Sequence, residues 1–326
     1  MRSSRKVYHS WDLASTRPLA TLFDKTGVRV HSIGLPCLLG SCALRVRSWL
    51  RGECAKSMDA IKTFAEKRPL VSALLILLFW FLASGLLATA SAAILDASMT
   101  EAVPQMIGTL GATLALLAIA GWLGWLSSIG IARLGSWQLW LITIPLLAYL
   151  IMAYLYGFFG DLSFDFGIFG RSETAREMLL RGGVVGFVEE TLFRGIILYV
   201  LVRAWGRSRR GLLLSVLVQA ALFAVPHLLQ AMAGSSWDEV LMVIVNGFVS
   251  GIWWGVLVLL GGSLWPVMLL HGLSNLSVQV RSLSSASIEP AIAAYGRATL
   301  LELPLALLAI WLLLRAPLGS EPEAES

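Results

Sequence analysis

Charge is scarce in this sequence. Only 14% of its 326 residues are Asp, Glu, Lys or Arg, against 57% hydrophobic, and the mean hydropathy is +0.77. That deficit excludes an ordinary soluble domain, in which about a quarter of residues carry charge. Cysteine is nearly absent too: Cys37, Cys42 and Cys54 are the only three. An odd number, all in one basic segment, points to reduced thiols rather than a disulfide framework, and the Cys37–Cys42 spacing matches no zinc pattern. There is no early apolar core of a secretory signal. No internal repeat is visible, which counts against repeat-built transporters. The apolar runs do not alternate, which excludes a transmembrane barrel. The basic segment lacks aromatic interleaving and any nucleic-acid-binding signature, so no nucleic acid is expected as a partner.

What the chain has instead is long apolar runs. Several reach roughly 20 residues, enough to cross a hydrocarbon layer of about 30 Å as a helix. In lipid the backbone must satisfy its own hydrogen bonds, so the runs predict an all-α, polytopic membrane helix bundle. Eight spans are expected, at 69–95, 106–134, 137–159, 178–205, 211–232, 240–260, 264–280 and 291–314. Residues 1–69 hold thirteen Lys/Arg and five Asp/Glu, a local balance of +8 in a chain of net +5. This segment reads as a partly disordered basic arm on the cytoplasmic side, facing anionic lipid. Residues 70–316 read as the membrane domain and 317–326 as an acidic tail. With the arm inside, the Asp96/Glu101, Asp161/Asp165 and Asp238/Glu239 loops fall outside and the Arg203/Arg207/Arg209/Arg210 cluster falls inside. Both termini are then cytoplasmic, in a multi-pass cell-membrane protein.

The exceptions to apolarity are the informative residues. Glu189 and Glu190 are adjacent in the fourth run, where an acidic residue costs roughly 2.5–3.5 kcal/mol to insert and is a functional hypothesis by default. Arg194 lies four residues after Glu190 and shares its helical face, so the two can pair. Glu189 is turned about 100° away and is left free for chemistry. The plainer alternative is a buried ion-pair staple with a spectator carboxylate. Of four histidines, His9 and His31 lie in the arm; His227 and His271 lie in apolar runs. Taken singly, each is more often an interhelical hydrogen-bonding residue. Pro226 kinks the chain beside His227. His271 and Asn275 share a face. Glu189, His227, His271 and Asn275 thus come from three runs that carry little else as polar. A carboxylate and an imidazole can take a proton from water, and a second imidazole with an amide can donate to an oxyanion. Glu189, His227 and His271 could alternatively hold zinc with an open position. Gly182, Gly183 and Gly186, before the carboxylates, read individually as the small residues common in such bundles, close helix approach being the alternative. Trp253 and Trp254 read as core or lipid-facing packing rather than as a cavity lining.

Glu189-Glu190-xxx-Arg194, Phe223-xxx-His227 and His271-xxx-Asn275, in this order, resemble the three motifs of the CPBP intramembrane protease family, which includes type II CAAX prenyl endopeptidases and the Abi proteins. The glycine-rich stretch from Gly251 to Pro266 is similar to that family's lead-in to its last motif. The motif core is 182–279. The resemblance implies an eight-helix core and an endopeptidase acting on a membrane-associated peptide or protein. It implies that Glu189 and His227 activate water, that His271 and Asn275 stabilise the oxyanion, and that Glu190 and Arg194 brace the helix. It leaves open a glutamate mechanism that needs no cofactor, the preferred reading, and a zinc-dependent one. Two other functions compete: a proton-coupled transporter using Glu189 and the histidines as a relay, and a non-catalytic immunity or scaffold protein. Substrate and oligomeric state are not readable from the chain.

Overall fold

Residues 55–98, 101–159, 172–232, 234–283 and 291–316 are described by the structure, a computed structural model. The cysteines, His9, His31, the loop with Asp161 and Asp165, the acidic tail and most of the basic arm lie outside them. Within the expected arm, 55–67 is helical. The chain divides into two units, Met1–Lys62 with Gly319–Ser326, and Thr63–Leu318; every helix from Pro69 to Arg315 belongs to the second.

No strand occurs among the described residues. The elements are α1 (Pro69–Leu95), α2 (Ala102–Trp122), α3 (Trp137–Phe159), α4 (Glu173–Glu189), a wider π-helical segment (Glu190–Ile197), α5 (Leu198–Trp205), α6 (Arg209–Ala224), a 3-10 turn (Val225–Leu228), α7 (Leu229–Met232), α8 (Trp237–Gly261), α9 (Trp265–Leu283) and α10 (Ala291–Arg315). All eight expected runs are helical in whole or in large part. Among the described residues, five helical stretches are long and apolar enough to cross a membrane: Pro69–Leu95, Ala102–Trp122, Arg209–Met232, Trp237–Gly261 and Tyr295–Arg315. The chain is therefore an all-α, multi-pass membrane bundle. The motif-bearing α4–α5 and α9 do not reach that apolarity, because they carry the ionisable and polar side chains.

Helix α1 starts on Pro69, whose missing N–H costs nothing in the first turn. Its buried face is a row of small residues, among them Ser84, Ala88, Ser91 and Ala92. Gly108 of α2 packs onto this row against the Ser84 carbonyl and the Ala88 side chain. The buried Trp80 indole donates to Thr113 at 2.9 Å across the same contact.

The second run ends earlier than expected. Helix α2 stops at Trp122 rather than continuing to Leu134. The cause is glycine: Gly124 and Gly130 adopt φ of 73° and 82°, left-handed values that end a helix and that glycine adopts without steric cost. The turns of 123–136 brace the start of α9. Leu264 donates its N–H to the Gly130 carbonyl (3.1 Å), the Ser263 hydroxyl donates to the Arg133 carbonyl (2.7 Å), and the Trp265 indole donates to the Ile131 carbonyl (3.0 Å). An expected membrane-spanning end is instead a clasp on the helix that carries His271.

Helix α4 crosses α9 at its glycines. A Cβ on Gly186 would stand 2.8 Å from both the Gly272 nitrogen and the Met268 carbonyl, and one on Gly182 would stand 3.3 Å from the Gly272 carbonyl. Gly183 has open space. Gly182 and Gly186 therefore do more than fill a bundle with small residues: they let two backbones touch one turn before the carboxylates. Helices α6, α8 and α10 supply the main buried cluster, which includes Val216, Ala220, Ile252, Val256, Ala306 and Leu313.

Candidate active site

The α4 crossing delivers Glu189 and Glu190 to His271. Just there the helix widens into the π segment, a feature that inserts a residue into the turn and recurs at functional sites. All eight residues of that segment are buried. Glu190 Oε1 accepts from Arg194 Nη1 at 2.9 Å, the ion pair the spacing predicted. The same oxygen lies 2.7 Å from His271 Nδ1. An ionised carboxylate can only accept, so Nδ1 carries the proton and the imidazole orientation is set by Glu190. The other ring nitrogen, Nε2, faces Glu189 Oε2 at 3.6 Å. The two adjacent carboxylates thus address the two nitrogens of one imidazole. Glu190 thus pairs with Arg194 on its own helix, as expected, and also reaches His271 on α9.

Accessibility separates the two carboxylates. The Glu189 side chain is 28% exposed, whereas those of Glu190 and Arg194 are at 0%. Glu190 is sealed into structure, and Glu189 keeps an open side. The two carboxylates differ in burial, as their different helical faces allow.

The guanidinium of Arg194 lies 3.9 Å from the Phe223 ring centroid and 5.2 Å from that of Trp254. A cation over aromatic faces in a dry site gains on the order of 2 kcal/mol, which offsets part of its desolvation. Phe223 also stands edge-on to both histidines, 5.6 Å from the His227 ring and 6.0 Å from the His271 ring. The two imidazoles thus flank one phenylalanine. His227 sits in the 3-10 turn opened at Pro226, as the proline suggested, and is half-buried. Its Nδ1 lies 3.1 Å from the Ala224 carbonyl, which can only accept; Nδ1 therefore bears a proton, and Nε2 is the nitrogen without a backbone partner in that contact. Asn275 is one turn beyond His271 on α9 and half-buried.

The zinc alternative can be weighed on these contacts. Among the described residues no group of three or more His, Cys, Asp or Glu side chains gathers closely enough to hold a metal ion. His271 Nδ1 is engaged by Glu190, which leaves Nε2 as the open ring nitrogen.

Trp254 belongs to the buried core cluster, as expected, and also packs against His271 with 4.8 Å between ring centres, so part of the core forms a wall of the site. One site neighbour escaped the sequence reading. Glu302 of α10 is only 2% exposed and accepts from the Trp253 indole at 3.2 Å. The signal for Glu302 was present, since it is the sole acidic residue between Ala291 and Leu314. The rule that singled out Glu189 applies to it equally.

The fold and these contacts define a class: a multi-pass membrane protein with an ionisable cluster of two carboxylates, an arginine and the His271 imidazole, and with the His227 imidazole against the neighbouring Phe223 ring. Residues 172–277 match the family model described as type II CAAX prenyl endopeptidase Rce1-like. That stretch, about one third of the chain, contains every candidate site residue, and it supports the resemblance to CAAX-protease-like intramembrane endopeptidases. Comparison with curated proteins and with solved structures gave no match.

Proposed function

We propose that this protein is an intramembrane endopeptidase that cleaves a membrane-associated protein or peptide by a glutamate mechanism. The observation that carries the reading is the Glu190–His271–Glu189 arrangement, in which a sealed carboxylate orients an imidazole toward a second carboxylate that keeps an open side. In this reading Glu189 accepts a proton as water attacks the scissile carbonyl carbon, with His227 Nε2 helping to hold the water. The carbonyl oxygen becomes an oxyanion. It accepts hydrogen bonds from His271 Nε2–H, in the imidazolium form that Glu190 compensates, and from the Asn275 amide. Collapse breaks the carbon–nitrogen bond, and Glu189 returns its proton to the leaving amine. Arg194 holds Glu190 in place. Both termini lie in the cytoplasm, with eight crossings.

The reading is tested by quantitative proteomics of membranes from cells carrying the wild type or Glu189→Gln. Accumulation of one or a few uncut membrane proteins in the variant, with loss of their new N-termini, is expected. Identical membrane proteomes from the two strains would overturn it.

A further inference from the structure

Glu302 belongs to none of the three motifs, yet a chain of contacts links it to the site. Its carboxylate accepts from Trp253 Nε1 at 3.2 Å. Trp253 stands edge-on to Trp254, with ring centres 5.5 Å apart and planes at 78°. Trp254 packs on His271 at 4.8 Å and under the Arg194 guanidinium at 5.2 Å. The Trp254 indole nitrogen is buried and has no hydrogen-bond partner among the described residues. Packing alone therefore fixes the Trp254 ring, and Trp253 is one of the rings that packs it. Of those two indoles, only Trp253 is tied by a hydrogen bond among the described residues, and its acceptor is Glu302.

We propose that Glu302 is a positioning residue of the site: by anchoring Trp253 it holds Trp254 as the wall against which His271 and Arg194 keep their orientation. A leucine in its place would fit a membrane helix better, so retention of an acid at a buried α8–α10 contact is accounted for by the indole N–H it satisfies. The effect on cleavage rests on the endopeptidase reading; the effect on ring geometry does not.

The test uses full-length protein in lipid nanodiscs with indole-¹⁵N Trp and ring-labelled His, comparing the wild type with Glu302→Leu, Glu302→Gln and Trp253→Phe. Glu302→Leu and Trp253→Phe are expected to displace the NMR signals of the Trp254 indole and the His271 ring. Glu302→Gln, which keeps an acceptor oxygen, is expected to bring them back toward wild type. In the cleavage assay Glu302→Leu is expected to lower kcat about 10–100-fold with KM changed less than about twofold, and Glu302→Gln to recover most of the loss. Should Glu302→Leu fail to fold, Trp253→Phe carries the same comparison. Unmoved His271 signals in folded Glu302→Leu or Trp253→Phe would overturn the proposal, as would equal displacement by Glu302→Gln and Glu302→Leu. A Glu189→Gln protein that still cleaves would sink Glu189 as the proton acceptor of the proposed mechanism and leave the ring displacements to be judged separately.

Discussion

Replacing Gly186 by alanine puts one methyl group where α4 and α9 touch. The new Cβ would stand 2.8 Å from the Gly272 nitrogen and the Met268 carbonyl and 2.9 Å from the Gly272 Cα. All three are backbone atoms, so no side chain can swing away. An ordinary contact needs about 3.5 Å, so the helices must separate by about 0.7 Å. Gly272 is the residue after His271, and the same shift would lengthen the 2.7 Å contact of His271 Nδ1 with Glu190 to about 3.4 Å, outside the hydrogen-bond range. Crowding of this kind costs about 1–3 kcal/mol. The helix gains up to about 1 kcal/mol from losing a glycine. Gly183→Ala is the control, because it has the same propensity gain and nothing within 4 Å. Gly186→Ala should therefore be about 1–3 kcal/mol less stable than Gly183→Ala, with Gly182→Ala between them. Cleavage should fall about 10–100-fold in Gly186→Ala only, since misplacement of about 1 Å costs up to about 100-fold. Thermal unfolding in nanodiscs, followed by tryptophan fluorescence, and cleavage of a substrate found by membrane proteomics give the two readouts. If Gly186→Ala matches Gly183→Ala in both, the argument that this crossing sets the site fails.

Three further outcomes rest on the same contacts. Glu190→Leu strands the buried Arg194 and should cost about 3–5 kcal/mol of stability, whereas Glu189→Gln, at the exposed carboxylate, should leave the unfolding temperature nearly unchanged; denaturation in the same lipid compares them. Arg194→Lys keeps the charge but loses the planar group stacked on Phe223, so its stability should stay about 1–2 kcal/mol below wild type by the same assay. Glu66→Gln removes the 2.6 Å contact with Arg203, whose side chains are 45% and 25% exposed. A surface pair of that kind is worth about 0.2–1 kcal/mol, and the difference from wild type should shrink as salt is raised.

The helices were legible where composition alone decides them. The run beginning at Pro69 and the one beginning at Trp137 have the expected ends, because lipid leaves an apolar stretch no option but a helix. The Glu190–Arg194 pair was readable from spacing, and the separate face of Glu189 from the helical period. Hydropathy is blind to backbone conformation, so the stop at Trp122 was missed: the residues after it are apolar, and only the left-handed Gly124 and Gly130 end the helix. The π segment was hidden because a four-residue spacing reads the same in either kind of turn. Tertiary contacts were out of reach altogether. Nothing in the order of residues says that Gly186, rather than Gly183, meets another backbone, or that Glu190 reaches both Arg194 and His271. Glu302 was legible in principle and was passed over because it lies outside the motifs.

Purified wild type and Glu189→Gln, each in vesicles with the membrane protein that accumulates when Glu189 is replaced, give the most direct comparison. The wild type should cut that protein at a defined bond. The variant, with an unchanged unfolding temperature, should cut it about 1,000-fold more slowly, the loss expected of a missing general base. Cleavage by Glu189→Gln at the wild-type rate would contradict the account.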